Sequence, residues 1–213
     1  MIIRKAKPED AKAIATYLML AMEDIVYQFI GEKYHEKATQ FLVNLINQEA
    51  NQYSYENCWV IETENEVVAV AVVYDGGKLQ ELRKPVAQEI KSMFNRDFNP
   101  ENETEAGEYY IDSIGVSPNQ QGKGLGSKLF QFLINEYVYK RKGTLGLLVD
   151  KENPNAKKLY LKLGFEIVGE KTLAGKYMEH LQFRNRLSVS LKSASQKTSQ
   201  NLTSFGGISI PVF

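Results

Sequence analysis

The sequence predicts an α/β protein built around one mixed, largely antiparallel sheet, and three observations predict it. Short apolar runs of strand length alternate along the chain with longer segments whose apolar residues recur every three or four positions, the mark of strands interleaved with amphipathic helices. One run, residues 67–73, is apolar at every position, as a central strand covered on both faces must be. At 213 residues, 43% hydrophobic and 24% charged, the chain can bury the core of one domain with a short appendage, but two full domains would be cramped.

Ile2 and Ile3 suggest an opening strand. Pro8, Glu9 and Asp10 then give a rigid turn and acids suited to a helix N-terminus. The helix runs to about residue 29 with a stripe of Ile14, Leu18, Ala21, Met22 and Ile25. A second helical pattern covers residues 33–50, with Ala38, Phe41, Leu42, Leu45 and Ile46 on one face. Residues 58–61 and 67–74 read as strands joined near Glu64, Asn65 and Glu66. Residues 78–94 have helical character broken at Pro85. From Asp97 to Glu108 there are five acids and no base, an acidic loop that is either simply solvated or draws in a cationic ligand. A strand over 109–116 follows, then a Ser117-Pro118-Asn119 turn and a long amphipathic helix over 122–141. Its last cations, Lys140, Arg141 and Lys142, offset the negative end of the helix dipole. Residues 144–149 form a strand and 153–163 a short helix stopped by Gly164, while 165–168 and 176–181 close a sheet of six to seven strands. Short links imply antiparallel pairing. Nine of residues 184–213 are serine or threonine and no periodicity appears there, so 183–213 is expected to be a basic tail, flexible or docked as an added strand, behind a domain of residues 1–182.

With 26 basic and 26 acidic side chains the formal charge is zero, which argues against a polybasic nucleic-acid binder. The balance is uneven: His180–Phe213 holds four bases and no acid, leaving 22 bases against 26 acids, or −4, on residues 1–179. Cys58 has no partner for an internal disulfide and reads as a small buried residue. His35 and His180 lack metal-ligand spacing, so no metal is expected. No membrane-spanning or leader segment is read in the sequence, and the protein is expected to be cytoplasmic, a monomer or a homodimer.

The most specific chemistry lies at Gln121-Gly122-Lys123-Gly124-Leu125-Gly126-Ser127, directly after a strand and opening a helix. Alternating glycines at a helix start remove side chains where backbone N–H groups converge, which makes a site for an oxyanion such as a phosphate. The spacing is wrong for a P-loop, and Ser127 stands where a dinucleotide fingerprint needs glycine.

Gln121, Gly124 and Gly126 match the signature of the GNAT family of N-acetyltransferases, which the chain resembles. The strand ending Ile114-Gly115-Val116-Ser117-Pro118 and the block from Asn153 through Tyr160 to Phe165 look like that family as well. The resemblance covers residues 1–182 and implies a sheet splayed at the cofactor strand and flanked by about four helices. It implies acetyl-CoA as co-substrate, with its pyrophosphate on the amides of Gln121, Gly122, Lys123, Gly124, Leu125, Gly126 and Ser127, and its pantetheine arm along Ile114 and Val116 with Asn153 opposite. Tyr160 matches the family's usual proton donor to the leaving thiolate, or is a packing tyrosine. Asp112 is the leading candidate for the base or amine-orienting acid, or else an aspartate bonded to a neighbouring loop. Regular alternation would set it on one face with Tyr110, Ile114 and Val116, and a bulge would switch that parity. The expected activity is acetyl transfer to a primary amine of a small molecule or peptide, by direct attack in a ternary complex. The alternatives are a non-catalytic acyl-CoA-binding module on the same fold, or a protein-interaction role carried by the tail.

Overall fold

A computed structural model describes residues 1–185, so the tail expected to be flexible or docked lies, from residue 186 on, outside the described residues. The strands are β1 (Ile2–Lys5), β2 (Cys58–Thr63), β3 (Glu66–Asp75), β4 (Tyr109–Val116), β5 (Leu145–Asp150), β6 (Glu166–Leu173) and β7 (Lys176–Phe183). They form one seven-stranded sheet in the order β1-β2-β3-β4-β5-β7-β6. Every neighbouring pair is antiparallel except β4 and β5. Among the described residues five α-helices flank it: α1 (Ala11–Ile30), α2 (His35–Ile46), α3 (Leu79–Phe94), α4 (Leu125–Leu133) and α5 (Pro154–Leu163).

The all-apolar run lies in β3 and is divided between two cores, as its composition requires. Val70, Val72 and Tyr74 pack under α1, α2 and α3 with Leu18, Phe41 and Ile90. Ala69, Ala71 and Val73 face α4 and α5 with Leu129, Leu133 and Phe165. Cys58 is fully buried and its thiol is pushed up to about 12 by burial, the inert state expected of it.

Several elements differ from the expectation. Residues Pro8–Ile30 are long and apolar enough to cross a membrane by length and composition, at a mean hydropathy of 1.3, although none was read as such in the sequence; here the buried stripe of α1 packs on the sheet. Ala21 is exposed, and past a kink at Met22 the stripe continues through Val26 and Ile30. Helix α3 is not broken at Pro85 but runs through it, its buried Leu79, Val86 and Ile90 holding the turn against the lost backbone bond. Helix α4 ends at Leu133 and passes into a π-helical segment, Ile134–Lys140, whose Lys140 and neighbouring Arg141 pair with Glu136. The acidic link is not a solvated loop throughout: Glu103 and Glu108 are each only 3% exposed.

Candidate active site

Strand β4 organises the site. Its parallel pairing with β5 joins Tyr109–Ile111 to Leu145–Leu147 and goes no further, because the rest of β5 pairs only with β7. From Asp112 to Val116 the β5-facing edge of β4 is therefore open, and the sheet is splayed there as the resemblance implied. Unpaired backbone on such an edge can take an extended, amide-bearing chain as an added strand.

The opening leads to the glycine loop. After the turn Pro118–Gln120, Gly122 and Gly124 both take a left-handed φ of 76°, which glycine adopts without strain, and α4 begins at Leu125. The first bond of the helical ladder runs from Lys128 N–H to Gly124 C=O at 3.0 Å, so the amides of Leu125, Gly126 and Ser127 precede the ladder and point off the helix end. A Cβ built on Gly122, Gly124 or Gly126 meets nothing within 4 Å, so the glycines keep the cradle clear. Gln121 and Lys123 are exposed, and Lys123 Nζ donates to Gln120 Oε1 at 3.0 Å. The Leu125 side chain is buried, leaving only its amide to the cradle. An open ring of amides at a helix start fits a pyrophosphate, and the open strand edge beside it fits a pantetheine arm.

Ile114 and Val116 pack towards the α4 face of the sheet, and so does Tyr160 of α5. The Tyr160 ring lies 5.2 Å from Phe130 and 6.2 Å from Phe165. Burial raises its phenol above the usual range, so the proton stays on at neutral pH, and its hydroxyl has no hydrogen-bond partner among the described residues. Asn153 caps α5 by accepting from Ala156 N–H at 3.0 Å, a job that leaves its amide nitrogen available.

Asp112 lies elsewhere from the place regular alternation predicts. The register Val72↔Ser113 is followed by Val73↔Ile111, so Asp112 is the extra residue of a β-bulge. The bulge switches parity: Tyr110 belongs to the α1 face, while Ile114 and Val116 belong to the α4 face. Asp112 Oδ1 accepts from Tyr74 Oη at 3.1 Å, on the α1 face. Asp112 and Tyr160 thus approach the β4–β5 opening from opposite faces of the sheet.

Behind Asp112 lies a polar cluster that no sequence signal marked. Tyr74 Oη also stands 3.1 Å from Glu103 Oε1, and Gln52 Nε2 donates to both Tyr74 Oη and Glu103 Oε1 at 3.0 Å. Arg83 of α3 closes on Glu103 Oε2 and is further tied to the carbonyl of Pro100 at 3.0 Å. The Asp112 carboxyl is pushed up to about 7 by burial, with the Glu103 charge adding to the shift and the Tyr74 hydrogen bond and Arg83 opposing it. Glu108 turns inward too, accepting from Gln182 Nε2 at 2.6 Å and lying 2.9 Å from His180 Nε2. His180 is therefore structural, and His35 lies at the surface against Glu23. Among the described residues no cluster of metal-ligating side chains is found.

Comparison with known proteins gives a concordant result. The sequence pattern described as the acetyltransferase (GNAT) family matches residues 19–165. N-alpha-acetyltransferase RimI of Mycobacterium tuberculosis is 39% identical over 62 residues, which is 29% of this chain and 37% of that relative, so the match spans little more than a third of its length. Among solved structures, one described as an acetyltransferase is similar at 30% identity and a TM-score of 0.74, over 86% of this chain and 99% of its own. An N-acetyltransferase from Staphylococcus aureus Mu50 is similar at 25% identity and a TM-score of 0.76, over 86% and 100%.

Proposed function

The chain belongs to the acetyltransferase (GNAT) family, and from that premise we propose that it moves an acetyl group from acetyl-CoA to a primary amine by direct attack in a ternary complex. The observation that carries the reading is the conjunction on β4: one strand bears an open edge, runs into a clear glycine cradle, and holds a bulged carboxylate whose proton affinity is tuned to neutral pH. The amides of Gly122 and of Gly124 to Ser127 hold the pyrophosphate, those of Gln121 and Lys123 being turned to the carbonyls of Pro118 and Gln120. The β4 edge at Ile114 and Val116 pairs with the pantetheine arm, and the Asn153 amide approaches it from the start of α5.

An amine is a nucleophile only when neutral, and a base with a pKa near the working pH removes the ammonium proton most effectively. Asp112 takes that role from the α1 face. The nitrogen lone pair then attacks the thioester carbonyl, the carbon–sulfur bond breaks, and Tyr160 gives its proton to the departing sulfur from the α4 face. The proton the nitrogen sheds as it becomes an amide passes through water to restore the Tyr160 phenol. The acceptor is either a small-molecule amine or a peptide amine. The name of the Mycobacterium tuberculosis relative makes peptide N-termini a natural member of any panel. The field of the acidic link is a weak guide, since Glu103 and Glu108 face inward and Glu105 is paired with Lys171 at 2.7 Å.

Calorimetry with acetyl-CoA, followed by thiol release over a panel of amines, tests the reading. Tyr160→Phe is expected to lower turnover by about 10²-fold or more while acetyl-CoA affinity is unchanged. No acetyl-CoA binding by the wild-type chain sinks the proposal, and tight binding with no amine consumed replaces it by the non-catalytic acyl-CoA module.

A further inference from the structure

The link between α3 and β4 carries a buried glutamate that neither the fold nor the cofactor site requires. Glu103 is held on three sides, by Arg83, Gln52 and Tyr74. Burial raises the proton affinity of Glu103 and the Arg83 guanidinium opposes that shift, while Gln52 turns its Nε2 to both Tyr74 and Glu103 and leaves its own buried Oε1 without a partner. Tyr74 has one hydroxyl proton and two carboxylate oxygens at the same distance of 3.1 Å, Glu103 Oε1 and Asp112 Oδ1. With both acids ionised, one of them always goes without that proton, in a site shielded from water. With a proton on Asp112, its O–H turns to the Tyr74 oxygen, the Tyr74 O–H turns to Glu103, and both carboxyl groups share in a hydrogen bond with Tyr74.

We infer that Glu103 is a positioning residue for the proton accepted at Asp112, acting through the Tyr74 hydroxyl that the two carboxylates share. The inference rests on the reading of Asp112 as the base. In the step itself the ammonium N–H bond breaks, its electron pair stays on nitrogen, and the proton bonds to Asp112. The Tyr74 hydroxyl then rotates from Asp112 to Glu103, which exchanges hydrogen bonds and moves no further proton. The charge of Glu103 thereby keeps Asp112 a better proton acceptor than an isolated aspartate. The groups facing Asp112 divide by element: Tyr74 from β3, Tyr110 from β4, Glu103 from the link, Arg83 from α3, Tyr53 from the turn before β2, and Cys58 from β2. Burial holds the tyrosines and the thiol protonated at neutral pH, so Glu103 and Arg83 are the neighbours that carry charge.

The test is a carbon-13 carboxyl titration of the full chain by NMR, which needs no acceptor. Glu103→Gln is expected to weaken proton binding at Asp112 by about tenfold or more, and Tyr74→Phe, which removes a hydrogen bond to the charged form, to strengthen it. Opposite signs from two neighbours in one cluster are not what general loosening produces. Because Glu103→Gln leaves Arg83 buried without its charge partner and can unfold the chain, the reciprocal measurement is decisive: in Asp112→Asn, which keeps the Arg83 pair, proton affinity at Glu103 must fall by the same factor. Independent titration of the two carboxyls overturns the inference and leaves the reading of Asp112 intact. Undiminished acetyl transfer by Asp112→Asn across the amine panel overturns both.

Discussion

Gly115→Ala is expected to destabilise the whole molecule rather than the site alone. An added Cβ at position 115 would stand 2.3 Å from the backbone oxygen of Tyr17, 2.7 Å from its carbonyl carbon and 2.8 Å from its Cβ, so the obstruction is the main chain of α1 and no rotamer can relieve it. To reach ordinary contact, α1 and β4 have to separate by roughly 1 Å. The helix is not free to retreat, because Tyr17 Oη donates to the Val67 carbonyl at 2.8 Å and Ile14, Ala15 and Leu18 are fully buried against the sheet. Overpacking of this kind costs about 1–3 kcal/mol, and with a backbone obstacle the upper part of that range is expected. For a domain of this size that lowers the melting temperature by about 4–12 °C. Circular dichroism melts, with urea titrations to confirm an unchanged slope, measure it. An unchanged midpoint would show that α1 does not pack against β4 as closely as described, and would remove the reason for glycine at 115.

Gly126→Ala is the complementary case: the position is open and its backbone is helical, so stability should hold or rise by about 0.4–1 kcal/mol while acetyl-CoA affinity falls, and equal affinity would argue that the cradle does not hold the phosphates. Asp112→Asn predicts a pH signature in stability. The folded carboxyl is raised above its unfolded value, so the native state binds the extra proton between about pH 4 and 7, and wild-type stability falls as pH rises through that window. The asparagine variant lacks this loss, so it should match wild type near pH 4 and gain roughly 4 kcal/mol over it by pH 7–8, the free-energy equivalent of raising the carboxyl from 3.8 to about 7. Chemical denaturation across that range measures the difference, and parallel pH curves would refute the burial of Asp112.

Much of the architecture was legible because it rests on local pattern. The apolar run 67–73 can only be a two-faced strand, and Gly164 does stop α5 in a left-handed turn at a φ of 97°. The cradle was legible for the same reason, since a strand, three alternating glycines and a helix are contiguous. Pro85 misled because propensity is weaker than the burial of Val86 and Ile90 beside it. Glu103 and Glu108 looked like solvated acids because their partners, Arg83 and His180, stand 20 and 72 positions away.

Local periodicity and backbone chemistry, then, were enough to set out the strands, the helices and the anion cradle, since each depends on residues within a few positions of one another. The side to which Asp112 turns depends on the register of β4 against β3, where one extra residue reverses the alternation. Its proton affinity depends on Tyr74, Glu103 and Arg83, which three separate segments bring to one buried point. Register and burial are properties of packed strands, and a chain read one residue at a time does not contain them.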